Sequence, residues 1–173
     1  SEIFQFRFVH ASFLCLLRGV WINACDSTTA FAAGVPVQLE MRTALAWTAQ
    51  GTGGTGITFG TNDAKKRTAF ATTVFGAGDV RVATTAALGT GTKTLAGVAA
   101  AILQGPGPAS TAAPIFPPHT IMWLRDSEDE HPFIYANNEG FVIRSVEVPG
   151  TGTWKASVIV EWSEIDPSAV SGW

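Results

Sequence analysis

Hydrophobic and polar residues alternate with period two over much of this chain, the pattern of strands with one buried face. In VPVQLEMRTALAW, Val35 to Trp47, the residues Val35, Val37, Leu39, Met41, Leu45 and Trp47 share one parity; Pro36, Gln38, Glu40, Arg42, Ala44 and Ala46 share the other. The segment from Thr153 to Glu164 is as regular. Trp154, Ala156, Val158, Val160 and Trp162 fall on one face, and Thr153, Lys155, Ser157, Ile159 and Glu161 on the other. At the start, Phe4, Phe6 and Phe8 alternate with Gln5 and Arg7. The stretch FVHASFLCLLRGVWINAC loosely imitates a signal peptide, but His10 and Arg18 interrupt its apolar run, which is too short to span a bilayer. It reads as strand, and no transmembrane segment is expected.

Turn chemistry divides the rest. QGTGGTGITFG, residues 50–60, predicts a flexible loop closing in a short strand. Short strands are expected around Arg67–Val74 and Asp79–Thr84, and again at Ile121–Arg125, Pro132–Tyr135 and Phe141–Val148. Thr94 is placed to cap a short turn or helix running to Leu103, stopped by Gly105-Pro106-Gly107. Residues 105–118, GPGPASTAAPIFPP, predict an extended surface connector. Strands dominate and no βαβ rhythm occurs. The fold class is therefore all-β: an antiparallel β-sandwich, jelly-roll-like, with one short helix and extended terminal segments. Residues 1–166 form a single sandwich domain and 167–173 a C-terminal tail.

Composition changes this picture in one respect. With 173 residues the chain is long enough for a real core. Only 14% of residues are charged, against about 25% in an ordinary soluble domain. Much of the surface is thus neutral, which suits contact with other copies or other proteins. The net charge of −3 argues for no nucleic-acid partner. Cys15 and Cys25 are too few for a disulfide framework. They read as buried thiols, with a single Cys15–Cys25 bridge as the alternative.

Candidate chemistry is sparse. Gly51 to Gly56 spells G-x-G-x-x-G, but the following ITFGTND offers no helix N-terminus for a pyrophosphate. Gly89 to Thr94, GTGTKT, has Thr92 where a phosphate loop needs glycine, although Lys93 remains available to some anion. Asp126 to His131, DSEDEH, lacks EF-hand spacing and reads as a solvated turn rather than a metal site. No G-x-S-x-G elbow occurs, and His10, His119 and His131 lie in unrelated settings. No catalytic residue, metal or cofactor is expected. Trp47, Trp154 and Trp162 are assigned to the core; Trp21, Trp123 and Trp173 have no such assignment. Lys65, Lys66 and Arg67 form a small basic cluster able to touch an acidic partner surface.

The latter part of the chain resembles a group of tailed-phage and prophage proteins. The likeness lies in His131, Pro132, Ala136, Asn138, Glu139, Gly140, Phe141, Val142, Ile143 and Arg144, then Pro149, Thr151, Gly152, Thr153, Trp154, Val158, Val160, Trp162 and Glu164. The upstream GDVRVATTAALGTGTKTL looks similar as well. The resemblance implies a virion structural protein without catalytic activity, assembled in the bacterial cytoplasm. Its leading form is a capsid decoration or cement subunit, whose partners are copies of itself and other virion proteins, the major capsid protein above all. No membrane or nucleic-acid partner is expected. The competing readings are a tail, neck or baseplate component, or a carbohydrate-binding module using exposed tryptophans. Assembly contacts are expected at Lys65, Lys66, Arg67, Pro167 and Trp173. The tail begins with Asp166-Pro167, which ends strand pairing, and Trp173 is suited to a neighbour's pocket.

Overall fold

A computed structural model describes every residue except 32–35, 68, 85–86, 111, 126–131, 148–151 and 171–173; the side chains of 24–26, 147 and 169 also lie outside the description. The acidic segment Asp126 to His131 and Trp173 are therefore outside the described residues.

Two antiparallel sheets pack face to face, as the alternation predicts. The first contains β1 (Glu2–Phe8), β3 (Val37–Ala49), β4 (Thr55–Ile57), β5 (Val80–Val82), β6 (Thr92–Leu95), β7 (Ala101–Gly105) and β11 (Glu139–Glu147). Its order is β4-β5-β1-β11-β3, with β6 and β7 both pairing β3. The second contains β2 (Leu14–Thr29), β8 (Pro114–Phe116), β9 (Thr120–Leu124), β10 (Ile134–Tyr135) and β12 (Thr153–Ile165). Apart from the consecutive pair β4–β5, partners are distant in sequence, as in Greek-key and jelly-roll sandwiches and unlike a meander.

The core lies between the sheets. Phe4, Phe6 and Phe8 of β1, Val37, Leu39 and Met41 of β3, and Phe141 and Ile143 of β11 point into it from one side. Leu17, Val20 and Ile22 of β2 meet them from the other. Phe6 is central, with ring centroids 4.7 Å from Phe75, 5.1 Å from Phe141 and 5.6 Å from Trp162. Each such buried side chain contributes about 1.5–3 kcal/mol. The β10–β11 turn is set locally. Asn138 adopts a left-handed φ of 64°, and the Ala136 N–H donates to the Glu139 carboxylate at 2.8 Å. Gly140 follows because a Cβ there would sit 1.9 Å from the Phe6 carbonyl oxygen.

Several expectations are corrected. Thr94–Leu103 is not a helix; it forms parts of β6 and β7, and between them Ala96 and Ala100 donate to the Thr43 and Met41 carbonyls. The free side of β3 outcompetes the modest helix propensity of this Gly-interrupted run. The described helical piece is instead a 3-10 turn at Pro167–Val170. Among the described residues of Arg67–Val74 no strand forms. The Pro-rich connector is not wholly superficial, since β8 pairs β2 and buries Ile115 and Phe116. The first residues are not a free extended arm: the Ser1 amino group donates to the Ser145 carbonyl at 2.9 Å. Cys15 is a free, buried thiol. Cys25 lies ten residues further along the same strand, about 30 Å at the usual rise, so the alternative bridge does not form.

Tryptophan placement is finer than parity suggests. Trp47 is buried, yet with Ala44 and Val142 in a small second cluster on the outer face of the first sheet. A positive φ of 48° at Ala46 reverses the alternation there. Trp154 and Trp162 point to the main core together with Ala156, Val158 and Val160, but all five are only partly buried. Their strand lies at the edge of its sheet.

Candidate functional site

Strand β2 is the spine of the second sheet. Along one side it pairs in turn with β10, β9 and β8; along the other it pairs with β12 over its whole length. Among the described residues strand β12 is therefore an edge of 13 residues. The edge strands of the first sheet are short by comparison: β4 has 3 residues, β6 has 4 and β7 has 5. An unpaired edge offers a row of backbone donors and acceptors to another chain.

The outer face beside this edge is apolar. Trp21 on β2 stands directly between Ile159 on β12 and Ile121 on β9. In the next row Gly19 stands between Glu161 and Leu124. The Trp21 ring lies across Gly19, where a Cβ would meet ring carbons from 2.3 Å. Ile121 is 52% exposed, Leu124 41% and Ile159 37%. Together these residues form a platform three strands wide, rimmed by Arg18, Asn23, Ser157 and Glu161.

A groove of about 850 Å³ runs between Ile159–Glu164 of β12 and the segment carrying Ala64, Lys65, Lys66, Phe70, Ala71 and Thr73. Lys65, Lys66, Phe70 and Arg18 line it. The Glu164 carboxylate fastens the opposite wall: it accepts from the Thr73 hydroxyl, from the Val74 N–H at 3.2 Å and from the Trp162 indole at 3.3 Å. Lys66 pairs with Glu161 at 3.6 Å in an exposed position, worth about 1 kcal/mol or less. Arg18 donates to Ser163 Oγ at 2.6 Å.

Of the expected contact residues, Lys65 and Lys66 thus meet β12 in one groove. Arg67 is exposed on the same segment without lining it. Pro167 is exposed just beyond the end of β12, at the start of the 3-10 turn. Trp21, Ile121, Leu124, Ile159 and Phe70 escaped the sequence reading. A signal existed for Trp21, which has the parity opposite to Val20 and Ile22.

The motifs set aside as chemistry acquire structural roles on the first sheet. Lys93 does find an anion, an internal one: its Nζ lies 2.9 Å from the Glu2 carboxylate, with both side chains only 2% exposed. Lys93 also donates to the Thr90 carbonyl and stacks 4.6 Å over the Trp47 ring. Gln5 donates to Glu2 at 2.6 Å and to the Gly89 carbonyl at 2.7 Å. The two Gly-rich segments form the roof over this network. At Gly51 a Cβ would come within 1.8 Å of the Gly89 oxygen, and at Gly91 within 2.2 Å of the Ala49 oxygen. His10 accepts from the Ser12 and Phe13 N–H groups in the β1–β2 turn. His119 occupies a left-handed turn before β9.

Strong pKa shifts belong to the core. Burial, reinforced by nearby Glu164, pushes the Cys15 thiol well up. Burial followed by the neighbouring Cys15 raises the Tyr135 phenol far above its ordinary range. Neither group faces the platform or the groove. Among the described residues no helix is long and apolar enough to cross a membrane, and no cluster of three or more metal-ligating side chains occurs. Comparison with known protein families, with curated proteins and with solved structures finds no match.

Proposed function

We propose that this chain is a bacteriophage virion structural protein, a capsid decoration subunit that stabilises the shell by contacts with the major capsid protein and with copies of itself. The observation that carries the reading is the bare apolar platform beside a long unpaired edge, in a chain of unusually low charge. A hydrated monomer gains nothing from exposing Ile121, Leu124 and Ile159 around a half-buried Trp21; a partner surface that covers them removes the cost. Many such contacts on one shell reinforce each other through multivalency.

The residues that carry the phage resemblance agree with a framework role. Asn138 and Gly140 shape the β10–β11 turn, Phe141 and Ile143 fill the core, and Trp154 to Trp162 build β12. Residues shared for this purpose maintain a sandwich and its edge. The test is the copy number of the chain in purified particles by quantitative mass spectrometry. Hundreds of copies support a shell subunit. A dozen or fewer move it to the neck, tail or baseplate, and absence from particles overturns the reading.

The half-buried Trp21 ring also supports a second reading, a carbohydrate-binding face, since aromatic rings present flat apolar faces on which sugars stack. Its cross-strand neighbours are isoleucines, which offer a sugar no hydrogen bonds. Glycan-array binding that Trp21→Ala abolishes would favour this reading over shell assembly.

A further inference from the structure

We propose that β12 pairs antiparallel with the β12 of a second copy about a two-fold axis through Val158, joining two five-stranded sheets into one continuous sheet. Edge strands normally carry devices against such pairing: proline, bulges, inward charges or short length. Between Thr153 and Ile165 there is no proline or glycine, and the inward residues Trp154, Ala156, Val158, Val160 and Trp162 are uncharged; the one inward charge, Glu164, lies beyond the span that would pair and is already held by Thr73 and Val74. The β2–β12 ladder has three irregularities, and each puts the extra residue on β2. From Lys155 to Ser157, for example, the partners run from Asp26 to Asn23. Strand β12 itself keeps its alternation and can present every second residue to a mate.

The side chains select the copy and the register. Face-to-face continuity requires residues of equal parity to oppose one another, because a one-residue slip would turn the core face to solvent. With Val158 opposite itself, Lys155 of each copy faces Glu161 of the other, and symmetry makes this pair twice. Ala156 then faces Val160, Trp154 faces Trp162, and Ser157 faces Ile159. Shifting the axis by one residue puts Lys155 opposite Ser163 or Ile159 and leaves no opposite charges paired. The favoured register also lays Thr153 to Ser157 of the mate along Ile159 to Ser163, the β12 wall of the groove. The exposed Lys66–Glu161 pair is a weak competitor, because the Lys66 side chain is 81% exposed and free to swing aside.

Sedimentation velocity on the full chain tests this without reference to any particle, so its outcome is separate from that of the virion reading. The wild type should be a dimer. Lys155→Glu and Glu161→Lys should each weaken dimerisation by roughly tenfold or more, since each opposes like charges twice. The double variant should restore it, and Lys66→Ala should leave it intact. Melting curves confirm that each variant is folded. A monomeric wild type, single reversals that dimerise normally, or a double variant no better than the singles would overturn the proposal.

Discussion

The outer faces of the two sheets are built from similar strands and finished in opposite ways. Over β1 and β11 the chain roofs its own sheet. Gly51, Gly54 and Gly91 let loops approach the backbone to distances no side chain would permit, and Glu2, Gln5, Lys93 and Trp47 lie beneath them. Toward β3 the same face carries a compact ion cluster, with Glu40 paired to Arg42 at 2.7 Å and to Arg144 at 3.2 Å. Over β2 and β12 nothing comparable is supplied among the described residues; Trp21 is only half-buried, and Ile121 and Ile159 beside it are exposed. The chain evidently has the means to close a face, so the bare one marks where contact from outside is expected.

The largest effects should come from breaking the covered face. Lys93→Met strands the Glu2 carboxylate in a buried site and should lower stability by about 3–5 kcal/mol. Glu2→Gln with Lys93→Met together should recover a good part of that loss, because the unpaired charge is gone. Trp47→Ala should cost about 3–5 kcal/mol as a buried aromatic truncation. Chemical denaturation of the free subunit measures all three. Trp21→Ala, truncating the same side chain on the bare face, should cost less than half as much as Trp47→Ala. Equal losses at the two tryptophans would erase the distinction between the faces.

Alkaline pH probes the core that both faces share. Cys15 and Tyr135 are held protonated in the folded chain, so their contribution is fully present below their ordinary pKa values of 9.0 and 10.0. Above these values the unfolded chain releases protons that the folded chain retains, and stability falls with rising pH. The melting temperature should be level to about pH 8 and decline beyond 9.0, and Cys15→Ala should make the decline shallower. Surface variants such as Ile121→Ser should keep the wild-type profile. An unchanged slope in Cys15→Ala would mean that the thiol is less enclosed than the fold indicates.

On the bare face itself, Ile121→Ser and Ile159→Ser should alter the stability of the free subunit by only about 0.5 kcal/mol. Particle binding should suffer far more, as should any self-association that crosses the platform. Full particle occupancy with both substitutions present would remove the platform from the assembly reading.

Much of the sandwich was legible because alternation is a direct consequence of strand geometry. The strands at Phe4–Phe8, Val37–Met41 and Thr153–Glu164 were all visible in this way. What alternation does not encode is position within a sheet. Trp154 and Trp162 were assigned to the core by parity, yet they are half-buried because β12 has, among the described residues, a partner on one side only. At Trp47 one left-handed residue, Ala46, moves the ring to the opposite face, and no composition rule anticipates an alanine there. The Gly-rich segments looked like failed nucleotide loops, since their role depends on a packing partner far away in sequence. The platform was hidden for the same reason: Ile121, Trp21 and Ile159 become neighbours only through the register of β9, β2 and β12.

The smallest effect on the free subunit is expected from shortening its C-terminus. Strand β12 ends at Ile165, and the 3-10 turn from Pro167 follows. The turn is anchored by Asp166, whose carboxylate accepts from the Ser168 N–H at 2.8 Å and the Ser168 hydroxyl at 2.7 Å. These bonds hold the Asp166 carboxyl below its usual range, but they lie in solvent, where an anchor of this kind stabilises little. Removing residues 168–173 should therefore shift the denaturation midpoint only slightly, by about 0.5 kcal/mol at most. The segment contains Trp173, an aromatic of the type that dominates binding when a partner's pocket receives it. It also follows directly from the edge strand whose groove holds Lys65 and Lys66, so a tail contact would extend that interface. Truncation should accordingly weaken co-sedimentation with particles while leaving the melting curve almost unchanged. Equal occupancy of truncated and full-length protein would confine the external contacts to the platform and the β12 edge.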